Sequence, residues 1–247
     1  MVTNLQYFFE TAKKLRGGRW VWVKDSNGEN RNNILLGGTI ANPNKGFGHL
    51  WAAQLMQYTP GQPMLIFRSF KLKADAAANA TTIYIDGDGY SDAPEVGQYL
   101  MVAPDATEVV SMKADTSTGA VTITKTTYTG TYAKVTGVTY DETNQKFEVT
   151  LENKLSTAKI NAGTILVEAD KAKDTESTGS APVLCPKPNV FNEADRDMLP
   201  TDGYGFQNAN YSVSGVYNKQ AWIAKMQPLP KYVLALNKSL IDGIFCI

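Results

Sequence analysis

The sequence predicts a mainly β protein: a β-barrel or β-sandwich module of hairpins inserted into a β-rich base domain that begins with a short helix. Three observations favour this fold class. Residues 75–170 are dense in Thr and Val and poor in helix formers. Within that tract, residues 109–125 nearly repeat as residues 135–151. Both copies end in a segment where apolar and polar residues alternate, the period of a strand with one buried face.

Each copy of the repeat has the pattern of a β-hairpin. An apolar strand leads to a turn that opens with Asp115 or Asp141, and an alternating strand follows. Further strands are predicted around residues 82–85, 97–102 and 163–168, which gives six or seven strands within 75–170. This tract is the predicted hairpin module.

The segments on either side are predicted to form one base domain, residues 1–73 plus 182–247, with residues 171–181 as a linker. They contain all four Trp and most of the Phe residues. Their predicted elements, in chain order, are a helix over 3–16, a strand over 19–25 with two apolar faces, a strand over 34–38, a short helix over 49–58, a strand over 64–73 and a helical turn over 193–199.

Composition excludes several classes of protein. The 247-residue chain has 24 basic and 24 acidic residues, so no net field attracts nucleic acid. No apolar run approaches the roughly 20 residues of a membrane-spanning helix, so no membrane insertion is expected. The N-terminus lacks the pattern of a secretory signal, which favours synthesis and folding in the cytosol. Cys185 and Cys246 are expected to be reduced, packed thiols.

The run Asp86-Gly87-Asp88-Gly89 resembles the start of a calcium loop but does not continue as one. Counted from Asp86, an EF-hand needs glycine at position 6 and Glu at position 12, and here Ser91 and Gly97 stand there. The run is therefore interpreted as a turn between two strands. Whether Asp86, Asp88 and Asp92 nevertheless bind a cation is left open by the sequence.

No catalytic set is present. The single histidine, His49, lies in no Ser-His-Asp or Cys-His pattern, and no G-x-S-x-G, P-loop or dinucleotide-binding motif occurs. The acidic pairs Asp86/Asp88 and Asp195/Asp197 are interpreted as solvated surface. We therefore expect no catalytic, cofactor-binding or metal-binding residues, and we expect the protein not to be an enzyme.

The aromatic residues of the flanks suggest an interface instead. Such side chains could form a core, a subunit interface or a platform that stacks on sugar. The apolar end of the sequence is expected to pack inside the molecule or between subunits. The residues predicted to lie at an interface are Phe8, Phe9, Trp20, Trp22, Phe47, His49, Trp51, Phe245 and Ile247.

The tract ATTIYID…VGQYLMV…EVVSMKAD…GAVTITK resembles a β module common in virion proteins of tailed phages. With its flanks, the chain resembles the head fibre or auxiliary capsid (decoration) proteins of crAss-like phages that infect Bacteroidetes. The pattern covers about residues 80–168, and Gln98 stands where many such modules carry Asp. The resemblance implies a virion surface protein, built as a homo-oligomer, often a trimer.

On that interpretation the protein attaches to the phage major capsid protein or another capsid protein, is assembled in the host cytoplasm and ends on the capsid surface. An exposed module could also meet a host surface glycan. Two alternatives remain at this point: a carbohydrate-binding or adhesin module that uses surface aromatics, and a polysaccharide-cleaving enzyme without a recognisable motif. The missing export signal disfavours a bacterial adhesin.

Overall fold

The computed structural model describes residues 34–39, 49–104, 110–114, 117–118, 121–125, 129–173, 179–193, 196–197, 212–217 and 226–236. These ranges are mainly β, as the sequence predicts. The strands, in chain order, are β1 (Ile34–Thr39), β2 (His49–Leu50), β3 (Leu55–Gln57), β4 (Leu65–Ile66), β5 (Ser69–Lys71), β6 (Thr82–Asp86), β7 (Tyr99–Val102), β8 (Val110–Ala114), β9 (Val121–Lys125), β10 (Thr129–Asp141), β11 (Lys146–Leu151), β12 (Ile165–Glu168), β13 (Ser180–Pro182), β14 (Val190–Asn192), β15 (Arg196–Asp197) and β16 (Ser212–Tyr217). A 3₁₀ turn, η1 (Lys171–Lys173), and one short helix, α1 (Lys231–Leu236), complete the described elements.

The first sheet, called here the flank sheet, is antiparallel with the order β1-β16-β14-β3-β4. Its longest ladder runs from Ile34 opposite Tyr217 to Thr39 opposite Ser212. Shorter ladders join β16 to β14, β14 to β3 and β3 to β4. Every strand of this sheet therefore comes from residues 34–66 or 190–217, on the two sides of the Thr-rich tract. The segments 1–73 and 182–247 supply it jointly.

The second sheet, called here the curled sheet, has the order β5-β12-β7-β10-β11-β6, with β13 on the free part of β10. Its two end strands approach each other, because Leu72 forms a bridge with Ile85 and the Lys73 N–H donates to the Tyr84 carbonyl at 2.8 Å. One bridge and one hydrogen bond do not make a continuous ladder, so the sheet curls without closing into a barrel. The arrangement is sandwich-like.

The part of the curled sheet formed by β5, β7 and β12 is buried on both faces, whereas β11 exposes every second residue. Phe70, Leu100 and Leu166 belong to the cluster inside the curl. Their chain neighbours on β7 and β12, Met101 and Val167, belong to a second cluster shared with the flank sheet. Successive residues of a strand point to opposite faces, which explains why adjacent apolar residues enter different clusters. The flank sheet contributes Leu55 and Phe191 to that second cluster, and α1 contributes Tyr232 and Val233.

The predicted single strand over 64–73 is wrong in one respect, because this segment forms two strands in two different sheets. Strand β4 ends at Ile66 in the flank sheet and β5 begins at Ser69 in the curled sheet. Between them, Phe67 packs in the cluster between the sheets, whereas Phe70 packs inside the curl. The apolar residues on both sides of this segment reflect a chain that crosses from one core to the other.

Two predicted helical segments are also wrong. Residues 49–58 contain β2 and β3, separated by a turn in which Gln54 N–H donates to the Trp51 carbonyl at 3.1 Å. Ala53 has φ of +64° there, a conformation that no helix allows. Arg196 and Asp197 form β15, which pairs with His49 and Leu50 instead of forming a helical turn. Tertiary pairing overrides the helical pattern in both places.

Both predicted hairpins are confirmed. Strands β8 and β9 pair from Val110 opposite Lys125 to Ala114 opposite Val121. Strands β10 and β11 pair up to Asp141 opposite Lys146, and Asp141 accepts a hydrogen bond from Asn144 N–H at 3.0 Å in the turn. With β6, β7 and β12, the tract 75–170 contains seven described strands.

Some predicted elements cannot be compared. The helix over 3–16 and the strand over 19–25 lie outside the described residues, as do residues 174–178 of the predicted linker. The start of that linker forms η1, and its end belongs to β13, which pairs with β10.

A fragment comparison tests the division of the chain. We predict that residues 68–183 unfold cooperatively on heating, whereas residues 75–170 do not. The shorter fragment lacks β5, which pairs with β12 and carries Phe70 into the inner cluster. Loss of one buried Phe alone costs about 3–5 kcal/mol. Thermal unfolding followed by near-ultraviolet circular dichroism measures this, and equal cooperativity in the two fragments would contradict it.

Candidate functional site

A cluster of buried charged and amide side chains lies where the two sheets meet, and it is called here the junction cluster. Its charged members are Arg68, Asp92, Glu95 and Glu168. Arg68 lies between β4 and β5, Asp92 and Glu95 lie in the connection from β6 to β7, and Glu168 ends β12. Its amide members are Gln54, before β3, Gln98, before β7, and Gln227, before α1. The cluster thus joins segments that are far apart in sequence.

Arg68 and Glu95 form the central ion pair. Nη1 of Arg68 lies 3.3 Å from Oε1 of Glu95, and their side chains are 8% and 10% exposed. Burial by itself lowers the pKa of Arg68, but the carboxylates of Glu95, Glu168 and Asp92 raise it above its usual value. Charges held at this depth are stable only with close partners and hydrogen bonds.

Glu95 has an altered proton affinity. Burial is the largest cause, and the negative charges of Glu168 and Asp92 add to it, so that the pKa of Glu95 is raised to about 7. The guanidinium of Arg68 opposes this shift without cancelling it. Near neutral pH, Glu95 therefore exchanges a proton while it remains in contact with Arg68.

Gln98 connects Glu95 to Glu168. Its Oε1 accepts a hydrogen bond from Glu95 N–H at 2.7 Å, and its Nε2 donates to Oε1 of Glu168 at 2.7 Å. The Glu95–Gln98 turn is closed by Gln98 N–H donating to the Glu95 carbonyl at 3.2 Å, with Gly97 at φ +96°. A type II turn requires such a residue at its third position, which favours glycine. The amide of Gln98 thus accepts one hydrogen bond and donates another, which a carboxylate could not do.

The same contacts show why an aspartate would not replace Gln98. An aspartate at position 98 could accept from the Glu95 N–H, but it could not donate to Glu168. Two carboxylates at hydrogen-bond distance repel each other strongly when buried. Glu168 is 5% exposed and Gln98 is fully buried, so the amide at 98 is matched to the carboxylate at 168.

Asp92 links the cluster to the crossing segment. Its carboxylate accepts from Ser69 N–H at 3.0 Å and from Nε2 of Gln54 at 3.3 Å. The amides of Gln54 and Gln227 also donate to the Phe67 carbonyl, at 3.3 and 3.2 Å. Phe67 and Ser69 flank Arg68, so the backbone on both sides of the buried guanidinium is held by side chains from other segments.

This arrangement can hold the two sheets together and can take up or release a proton. Its charged side chains are buried, with Glu95 the most exposed at 10%. The cluster is therefore a structural and electrostatic site, since a bulky substrate cannot reach side chains that are covered to this degree.

The Asp86-Gly87-Asp88-Gly89 run is a turn whose carboxylates are engaged with the protein itself. Asp86 lies 3.0 Å from Nζ of Lys73 and 3.6 Å from Nζ of Lys71. Asp88 accepts hydrogen bonds from the N–H groups of Tyr90 and Ser91. With Asp92 bonded to Ser69, the three carboxylates serve three separate sets of partners. Among the described residues, no group of His, Cys, Asp or Glu side chains could hold a metal ion.

Two of the predicted interface residues fall within the described ranges. Trp51 is 5% exposed and packs in the inner cluster of the same chain. The backbone of His49 pairs with Asp197. The other predicted residues, Phe8, Phe9, Trp20, Trp22, Phe47, Phe245 and Ile247, lie outside the described residues. The structure does not bring this set together at a site that can be described.

The sequence does not predict the junction cluster, because carboxylates are expected at the surface. Asp92 enters the sequence analysis only as one of three carboxylates considered as cation ligands. One signal was available: Arg68 stands in an otherwise apolar segment, MLIFRSF, where a buried charge requires a partner. Cys185, 3% exposed, is a free and packed thiol as predicted, and burial, with the charge of Glu168, raises its pKa well above the usual value.

Comparison with known protein families, curated proteins and solved structures gave no significant match. Within the part of the chain that the structure describes, no helix is long and apolar enough to cross a membrane.

A double-mutant cycle that exchanges the amide at 98 and the carboxylate at 168 tests the role of Gln98. We predict that Gln98→Glu lowers the free energy of unfolding by about 3 kcal/mol, because it places an unpaired carboxylate beside Glu168. The double change Gln98→Glu/Glu168→Gln restores one donor and one acceptor and should recover more than half of that loss. Urea unfolding of the wild type, both single variants and the double variant measures the coupling. Strictly additive losses would show that the two side chains do not depend on each other.

Proposed function

We propose that this chain is a structural protein of a tailed-phage virion, a head fibre or capsid decoration protein that acts by binding and not by catalysis. Its base domain would attach to the capsid shell, and the hairpin module would project outward. The proposal combines the sequence resemblance of residues 80–168 with the way in which the strands are distributed between the two sheets.

The observation that carries the proposal is the placement of the β8–β9 hairpin. Strands β7 and β10 are antiparallel neighbours, with Met101 opposite Tyr132. The hairpin is inserted in the connection between them and forms a two-stranded sheet of its own. A hairpin inserted in this way extends a surface connection without entering either ladder, which is the usual position of an element that makes outside contacts.

The flank sheet suits attachment. It combines strands from both sides of the tract 75–170, whereas the β8–β9 hairpin forms a sheet of its own. This division matches a base that holds the protein to a shell and an insertion that faces outward. The alternative, a carbohydrate-binding module, finds less support, because each aromatic side chain whose burial is described is buried or half-buried.

Assembly is the first test. We predict a homo-oligomer in solution, with a mass close to three times the 27.0 kDa of one chain. The prediction follows from the resemblance to fibre and decoration proteins and from the apolar aromatics of the flanks. Light scattering coupled to size-exclusion chromatography measures the mass. A monodisperse monomer over the micromolar range would count against a fibre or decoration role.

Attachment is the second test. We predict that the full chain co-sediments with capsid shells assembled from the major capsid protein of the same phage. A variant in which residues 105–128 are replaced by a short Gly-Ser linker should bind the shells equally well, because β7 and β10 remain neighbours. Loss of capsid binding in this variant alone would assign attachment to the hairpin instead of the base. Absence of binding by the full chain, together with specific binding on a glycan array, would favour the carbohydrate-binding alternative.

A further inference from the structure

We propose that the junction cluster is a proton-dependent latch between the two sheets, in which one retained proton offsets the excess of carboxylates around a single guanidinium. This inference does not depend on the virion role, since it rests only on side chains within one chain. On this proposal, the pH determines how stable the contact between the two sheets is, and the groups that respond to pH are Glu95 and its neighbours.

The charges in the cluster do not balance. One guanidinium, Arg68, faces three carboxylates, Asp92, Glu95 and Glu168, each of which influences it electrostatically. Fully ionised, the cluster would carry two uncompensated negative charges in a buried place. Two like charges at short range in low dielectric cannot both remain ionised without a large energetic cost. Retaining one proton reduces that excess.

Glu95 is coupled to charged groups from the segments that connect the two sheets. Arg68 of the crossing segment, Glu168 at the end of β12 and Asp92 of the same connection all act on its carboxyl. Cys185, which follows β13, is in turn affected by Glu168. Gln98 joins Glu95 to Glu168 directly, because its side chain contacts both the Glu95 backbone and the Glu168 carboxylate.

The neighbours of Glu95 tie the crossing segment to the rest of the protein. The Asp92 carboxylate holds Ser69 N–H, and Ser69 Oγ donates to the Pro228 carbonyl at 2.5 Å, just before α1. The same carboxylate accepts from Gln54 of the turn that precedes β3. An added negative charge at Glu95 therefore acts on residues that tie the curled sheet to both the flank sheet and α1.

The direction of the effect follows from the raised proton affinity of Glu95. Its pKa is about 7 in the folded protein, against 4.5 for the unperturbed side chain. Between these values the folded state holds a proton that the unfolded state has lost, so stability falls as the pH rises through this interval and is constant above it. Asp75 and Asp141 have lowered pKa values, and their contributions are lost only in acid, below this window.

The test compares the wild type with Glu95→Gln by urea unfolding at about pH 5.5 and at about pH 8.5. The unfolding equilibrium constant of the wild type should rise about 30-fold between these two conditions as Glu95 loses its proton. Glu95→Gln keeps the acceptor for Arg68 but cannot ionise, so this rise should disappear. Any other group that titrates in this window contributes equally to both proteins, so its contribution cancels in the comparison.

Glu148→Gln is the matched control, because Glu148 is an exposed residue of β11 and the change removes the same charge. It should keep the pH dependence of the wild type. The proposal is overturned if the wild type shows no rise, or if Glu95→Gln retains the full rise.

A direct titration keeps the proposal testable if Glu95→Gln does not fold. Carbon-detected nuclear magnetic resonance of the wild-type side-chain carboxyls should show one group in the cluster that titrates near neutral pH. Coupled groups titrate as a set, so the apparent value belongs to the cluster. If every carboxyl of the folded protein loses its proton below about pH 5, near the unperturbed values, the latch does not exist.

Discussion

The buried guanidinium of Arg68 is the constraint around which the described structure is arranged. The chain must leave the flank sheet after Ile66 and enter the curled sheet at Ser69, and Arg68 lies between the two. A charge at that depth requires compensation, which Glu95, Asp92 and Glu168 provide. These carboxylates come from the connection between β6 and β7 and from the end of β12. The crossing therefore fixes how these distant segments approach one another.

The hairpins could be predicted because their information is local. Alternation with period two and a turn opened by Asp are visible within seventeen residues, and both hairpins formed where the repeat placed them. The segment around Trp51 could not be predicted in the same way. The segment has the spacing of apolar residues that is typical of a helix. Strand pairing with β14 and burial nevertheless stabilise Leu55 and Met56 more than a short isolated helix could. In this segment, tertiary contacts override the local sequence pattern.

The junction cluster lay beyond sequence reasoning for a related reason. Glu95 and Glu168 are separated by more than seventy positions, and only the pairing of β7 with β12 brings them together. Composition suggests that carboxylates are solvated, which holds for Asp75 and Glu148 but not for these two. The role of Gln98 likewise depends on the fold, because its amide lies between Glu95 N–H and the Glu168 carboxylate.

The proposed latch depends on the contacts by which the crossing segment joins the flank sheet to the curled sheet. The most direct measurement is a double-mutant cycle of Arg68→Met and Glu95→Gln, followed by urea unfolding near neutral pH. We expect Arg68→Met alone to lose about 3–5 kcal/mol of stability, because it leaves the buried carboxylates of Asp92 and Glu168 without their cation. The added Glu95→Gln change should recover little, because loss of the guanidinium raises the pKa of Glu95 further and leaves that side chain protonated near neutral pH. A loss below about 1 kcal/mol for Arg68→Met, typical of a surface ion pair, would contradict the central role given to this residue.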